Sequence, residues 1–282
     1  QYNGGNNGSG SESDDLALSL YELDTDITFN FFGLPVQTVA NADINIIEDK
    51  IINSTIDLSI EGSAPETENQ TFTRNASGQI TNNSSTNASG SVTNEYIISY
   101  ENDRISQITY EYYEDASENY TYNFTYDNNT ITRTEVGSNI STVFTLDGFD
   151  RVIKKESFDG AFTIQSESLT YSGLGNLSTS VTSGEISSNV TYQYDDETNP
   201  LKIVFEDNYL LQFLADDYSD EIGSRIAQYL SVNNWNGAVF DGESFTFTLA
   251  YNTVGRITNR DINYNFDDEL TVIINERFTY LN

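Results

Sequence analysis

The sequence predicts an all-β protein: an antiparallel meander of hairpins forming a curved sheet or a sandwich, with one short amphipathic helix near residues 220–230. Three observations carry this. From Tyr96 onward, short runs of Tyr, Phe, Ile, Val and Thr alternate with polar residues at period two, the pattern of half-buried strands. Turn dipeptides separate the runs: Asp159-Gly160 and Asp241-Gly242 suit type I′ hairpins, and Asn102-Asp103 and Asn128-Asn129 tolerate the same left-handed backbone. Helical spacing occurs where Ile222, Ile226, Tyr229 and Leu230 fall at i, i+4, i+7 and i+8, so a helix over 220–230 is expected to lie on one sheet face.

In chain order, residues 1–15 are Gly, Asn, Ser and acid, and read as a flexible tether. Residues 16–95 form an N-terminal β-rich region. It opens on a possible short helix at 16–23, then gives strands around Phe29, Phe31, Phe32, Leu34 and Val36 and the alternating Ile56, Leu58 and Ile60. Within it, residues 61–94 are almost pure Ser, Thr, Asn and Gly, either a long polar hairpin or a solvated excursion. Residues 96–282 form the meander proper.

A degenerate repeat runs through that meander: an aromatic or apolar residue, a turn, then a short β-branched run. Its copies start at Tyr100, Tyr126, Leu146, Tyr171, Tyr194 and Tyr251, one hairpin apart except for the last interval, which holds the helical insertion. Tyr251 to Ile257 carries a Gly-Arg-hydrophobic ending, and Tyr126-Asp127 and Tyr194-Asp195 carry a Tyr-Asp beginning. The pattern resembles the YD (Tyr-Asp) repeat. The phrase from Thr191 to Lys202, the hydrophobic insertion after it and Asn233-Asn234 are similar to uncharacterised cell-surface lipoproteins of the Bacteroidota, of flavobacterial type. That resemblance implies a Ser/Asn/acid tether after a lipidated Cys and brings no catalytic residues with it.

Composition narrows the chemistry. The chain has 282 residues, 12 Lys+Arg against 44 Asp+Glu, a net charge of −32, and no His, Cys or Met. Nucleic acid is a poor partner for such a charge, because phosphate binding needs clustered cations. Disulfides, thiolate nucleophiles, Cys zinc sites and histidine bases are absent by composition. With no initiator Met, a processed start after export is expected, and no apolar window is long enough for a spanning helix.

Carboxylate chemistry is what remains for an enzyme, yet the acid clusters fall where turns and helix starts favour Asp and Glu for local reasons. We therefore expect no enzyme, no catalytic residues and no cofactor. Weak Ca²⁺ candidates are Asp195, Asp196, Glu197, Asp267 and Asp268, since Ca²⁺ takes carboxylate and carbonyl oxygens. Candidate partner-binding residues are Trp235 and the crowded tyrosines Tyr110, Tyr112, Tyr120 and Tyr122, which can present amphipathic platforms or simply cover a sheet. In a host that glycosylates, Asn-x-Ser/Thr triplets offer Asn53, Asn69, Asn75, Asn87, Asn119, Asn123, Asn139, Asn176 and Asn189.

The functional expectation is a non-catalytic exported protein at the cell surface, on the extracellular face of an outer membrane. It would be a lipoprotein subunit of an assembly with other surface proteins, held to the membrane only by an anchor outside this sequence. Two alternatives are a self-assembling filament or adhesin subunit that adds a strand to its neighbour's edge, and a glycan-binding module.

Overall fold

The structure is a computed structural model that describes residues 17–31, 34–207, 213–266 and 269–281. Antiparallel neighbours follow one another along the chain: β1 (Leu18–Phe31), β2 (Leu34–Ile47), β3 (Lys50–Ile60), β4 (Glu66–Arg74), β5 (Ile80–Asn87), β6 (Val92–Glu101), β7 (Arg104–Tyr112), β8 (Tyr120–Asp127), β9 (Thr130–Glu135) and β10 (Ile140–Leu146). The series continues through β11 (Val152–Asp159), β12 (Phe162–Tyr171), β13 (Leu177–Gly184), β14 (Ser188–Thr198), β15 (Asn233–Phe240), β16 (Glu243–Thr246), β17 (Thr248–Tyr251), β18 (Ile257–Phe266) and β19 (Leu270–Tyr280). β19 then pairs back onto β1, from Leu18↔Tyr280 to Phe29↔Leu270. The meander is therefore one curved sheet rolled into a near-barrel, as the curved-sheet reading expects, and not a sandwich.

Each connection except that between β16 and β17 reverses direction, so alternate turns gather at opposite ends. The chain enters beside Tyr280, where Leu281 donates its backbone N–H to Ala17; this is the proximal end. The tips of β1–β2, β3–β4, β7–β8 and β18–β19 mark the distal end.

Alternation assigns the faces. Along β1, Tyr21, Leu23, Thr25, Ile27 and Phe29 point into the lumen, while Glu22, Asp24, Asp26, Thr28 and Asn30 point out. The outer face is mostly polar around the ring, with Asn41 and Asp43 on β2, Thr55 and Asp57 on β3, Thr121, Asn123 and Thr125 on β8, Ser166, Ser168 and Thr170 on β12, and Asn259, Asp261 and Asn263 on β18, interrupted by Ile97 on β6 and Val181 on β13. The core lies inside, built from Tyr21, Ile46, Ile108, Ile131, Phe144 and Ile262, all essentially buried.

The insertion between β14 and β15 fills this lumen from the proximal end. It contains α1 (Leu201–Glu206) and α2 (Gly223–Arg225), the latter running on into a π turn, Ile226–Leu230. Leu201, Val204, Phe205, Phe213, Leu214, Ile222, Ile226 and Ala227 are buried against the strands. Partners come from all round the ring: Tyr21 meets Phe205 and Tyr229 edge-on, Lys50 reaches Asp207 at 2.8 Å, and Arg133 reaches the Leu214 carbonyl at 2.9 Å.

One place in the ring departs from regular pairing. β16 and β17 stand end to end with Phe247 between them; β16 bonds to β15, and β17 bonds to β18. Distal to Phe247 the facing strands are joined by rings instead of hydrogen bonds: Phe245 packs against Tyr264 at 5.0 Å and Phe266 at 5.1 Å, and Phe240 against Tyr264 at 5.3 Å. Proximal to it, Trp235 sets its ring against Phe247 at 4.8 Å.

Several expectations need correction. The helix foreseen over 220–230 is only one α turn and one π turn, and it sits inside the ring instead of on a sheet face, because its apolar side chains need the lumen to be covered. α1 was not foreseen. Residues 18–23 belong to β1, where Tyr21 and Leu23 alternate inward; Leu16 and the tether at 1–15 lie outside the described residues, as does Phe32. The polar stretch 61–94 is the hairpin β4–β5, with Gln70 and Ser85 turned inward and bonded to neighbouring strands. At Asp159-Gly160 the turn is centred one residue later, with Asp159 still paired and Gly160 at φ +57. The boundary at 95 falls within β6, and strands from both sides share one ring.

Candidate functional site

The lumen holds a set of inward-facing polar side chains on otherwise apolar strands, and these fasten the insertion. Residues 213–223 are largely irregular, so their peptide groups need partners inside the barrel. Glu167 of β12 accepts from the backbone N–H groups of Ile222 and Gly223, each at 2.8 Å. Lys155 of β11 donates to the carbonyls of Asp217, at 3.0 Å, and Asp220. Ser157 bonds the Tyr218 carbonyl at 2.8 Å, and Arg133 bonds the carbonyls of Leu214 and Asp216 while stacking 4.3 Å over Tyr122.

Burial pushes the Glu167 carboxyl up to about 7 against the pull of its two N–H donors, and pushes Lys155 down to about 8. On the other side of the insertion, Arg260 forms a fully buried pair with Glu276, which also accepts from Tyr21 and, at 3.0 Å, from Gln228 of the π turn. Burial alone would lower Arg260, but the Glu276 carboxylate outweighs it and the net direction is up.

At the proximal end the repeat becomes a physical device. Tyr100, Tyr126, Tyr171 and Tyr280 donate their hydroxyls to the carbonyls of Ile80, Ile105, Val152 and Ile257, at 2.7 to 2.9 Å. Each accepting residue opens, or immediately adjoins the opening of, an ascending strand one repeat earlier. The cation preceding it stacks on the same tyrosine: Arg104 over Tyr126 at 5.1 Å, Arg151 over Tyr171 at 4.3 Å, and Arg256 over Tyr280 at 5.5 Å. The turns are closed by their first side chain, as where Asn252 Oδ1 accepts from the N–H groups of Val254 and Arg256 and Gly255 takes φ +82. Leu146 stands where a tyrosine would, so that copy lacks the hydroxyl contact.

The turn geometry leaves the third residue pointing out. Phe149, Leu174 and Val254 are exposed around the entry of the insertion, with Ile203 of α1 among them. Clefts of about 450, 640 and 550 Å³ separate α1 and the turns.

The distal end is different. Lumen-facing Ile27, Phe29 and Val36 of β1 and β2, with Leu58 and Ile60 of β3, are 37–50% exposed. Further round, Tyr96, Tyr110, Tyr120 and Tyr122 form a ladder with ring centres 4.7–5.0 Å apart.

The sequence candidates divide as follows. Tyr110, Tyr120 and Tyr122 do gather, but on the lumen side, while Tyr112 donates its hydroxyl to Glu114 at 3.0 Å; burial pushes Tyr122 up to about 12. Trp235 is no partner anchor: it is buried at the seam, with Nε1 donating to the Gly237 carbonyl at 2.8 Å. Asp195 is occupied by the N–H groups of Glu197 and Asn234 and by the Tyr251 hydroxyl. Among the described residues, Asp195, Asp196 and Glu197 included, no three acids gather closely enough to hold a metal ion. Asp267 and Asp268 lie outside them.

Asn53, Asn69, Asn123 and Asn189 stand on the outer face. Asn75 and Asn139 lie in turns, Asn119 lies beside one, and Asn87 ends β5. Asn176 is buried and donates to Asn233, which closes it to modification. Sequence reasoning missed Arg133, Lys155, Glu167, Arg260 and Glu276. Their signal was a charge in the apolar phase of an alternating strand, as in Ile131-x-Arg133 and Glu276-x-Phe278.

No family model matches the chain, and no curated protein matches it. Among solved structures, a porin-like protein from Bacteroides uniformis is similar over 94% of this chain and 98% of its own, at 13% identity and a TM-score of 0.50. Two others align more loosely. A porin-like protein from Bacteroides vulgatus covers 95% of this chain and 99% of its own at 12% identity and a TM-score of 0.26. A TcdB2–TccC3 structure covers 81% of this chain and 14% of its own at 12% identity and a TM-score of 0.31. The first likeness bears on fold: a large antiparallel barrel.

Proposed function

We propose that this chain is a non-catalytic display barrel at the outer surface of a bacterial cell, acting through contacts with other surface proteins. The observation that carries the reading is the pairing of a polar outer wall with a lumen stopped by the chain's own insertion. A barrel that spans a bilayer needs an outward apolar band about 25 Å tall, whereas Asp24, Asp43, Asp57, Asn123 and Asp261 occupy that face here. This barrel would stand in water beside the membrane and conduct nothing.

The finer expectations fit the same picture. The Tyr–Arg device at the proximal turns supports kinship with YD repeats. An anchor ahead of residue 17 would hold the proximal end, where Phe149, Leu174 and Val254 are exposed. The well-buried carboxylates described above serve structural contacts, which supports a non-catalytic role. Pairing of β1 with β19 takes up two edges that strand addition would use, which weighs against a filament built that way.

Fractionation with trypsin shaving of intact cells tests the proposal. Removal of the protein from the surface is expected; recovery from the cytoplasm would overturn it.

A further inference from the structure

The charges are sorted along the barrel axis. Of the twelve Lys and Arg, Arg133, Lys155, Arg225 and Arg260 belong to the lumen and its filling. The other eight stand on α1 or towards the proximal ends of their strands, as Lys50 opens β3, Arg74 closes β4 and Arg104 opens β7. The distal end has no basic residue, yet Glu61, Glu66, Glu114, Asp115, Glu118 and Glu269 are exposed there. At the proximal end Asp147 is neutralised by Arg151 and Asp207 by Arg74; the distal acids named have no such counterpart. Inside this acidic rim lies the exposed apolar wall of Ile27, Phe29, Val36, Leu58 and Ile60, which register places side by side: Phe29 opposes Val36, Ile27 opposes Thr38, and Thr38 opposes Ile60.

We propose that the distal mouth is a docking site for a cationic amphipathic segment of a partner protein, whose apolar side chains cover the β1–β3 wall while its Lys and Arg meet the acidic rim. Neither half of the site suffices alone. An exposed acidic rim attracts any cation weakly and loses that attraction to salt, over a Debye length of about 8 Å at physiological ionic strength. An apolar wall would take any greasy segment, but a field of one sign rejects an acidic one. The combination selects, and it explains why apolar side chains that a filled lumen would bury are left open at this end only.

The site names the partner chemistry of the display reading and rests on it for its biological setting. Binding by the purified chain decides the site, whereas cell fractionation decides display, so either can fail without the other. The probe is a fluorescently labelled synthetic peptide alternating Leu and Lys, titrated into the full chain and followed by anisotropy. Its Leu/Glu counterpart and oligolysine are run beside it. The Leu/Lys peptide is expected to bind about tenfold or more tightly than oligolysine, with no binding of Leu/Glu.

Phe29→Ser with Ile60→Ser, and separately Glu61→Gln with Glu66→Gln, are each expected to weaken it about tenfold, while Val254→Ser at the proximal end leaves it unchanged. The Glu→Gln pair alters exposed side chains only, so it remains informative if the apolar variant misfolds. Equal binding of oligolysine would reduce the effect to counterion attraction and overturn the proposal. So would failure of the Leu/Lys peptide to bind, or an equal loss in Val254→Ser.

Discussion

The two ends of the barrel are built from the same strands but solve opposite problems. The proximal end is tied: tyrosine hydroxyls cap carbonyls one repeat back, arginines lie on those tyrosines, and the insertion is pinned by hydrogen bonds to buried charged side chains of the strands. The distal end keeps the strands and omits the ties, leaving apolar side chains open and acids without cations. Stability and recognition have been separated along one axis, and single substitutions can test how cleanly.

The largest effect is expected at Glu276→Ala, which strands Arg260 without its partner in the closed end. Loss of one member of a buried pair costs about 3–5 kcal/mol, read as a fall in the urea midpoint. Next comes Glu167. Its folded value near 7 lies above the ordinary 4.5, so its contribution is fully present below pH 4.5 and is lost as pH rises through 7. Stability should fall by roughly 3 kcal/mol across that window. Glu167→Gln should flatten that part of the urea-midpoint profile; an unchanged slope would show that the insertion is not held through this carboxyl.

Smaller still, Tyr126→Phe removes the hydroxyl from the Ile105 carbonyl and should cost about 1 kcal/mol, while Leu146→Phe, where the contact is already missing, should not show that loss. Smallest is Phe29→Ser at the open end, expected within about 0.5 kcal/mol of the parent by thermal melting. A cost as large as that of Tyr126→Phe would mean the distal wall is part of the fold and would blur the contrast.

Much of the barrel was legible because hairpins are local. Asn102-Asp103 and Asp241-Gly242 announce their turns through residues that accept positive φ, and the alternation from Tyr96 onward gives the inward phase directly. Closure was not legible, since the pairing of Leu18 with Tyr280 leaves no mark within either strand. The insertion was misplaced for a related reason: the spacing of Ile222 and Ile226 reports an apolar face but not which surface covers it. Trp235 and the tyrosines were noticed for their chemistry, whereas their burial depends on strands far away in sequence. Lys155 and Glu167 could have been found by asking why a charge sits in an apolar phase.

Ring closure also dictates an order of assembly. Ser19 bonds to the Thr279 carbonyl across 260 residues, so β19 is the strand that seals β1. Until β19 emerges, β1 has no second neighbour, and the insertion arrives only after β14 with part of its cage still missing. Contacts of such long range are slow to form because chain closure must come first. The strands would thus remain an unsealed ribbon until β19 is available to pair with β1.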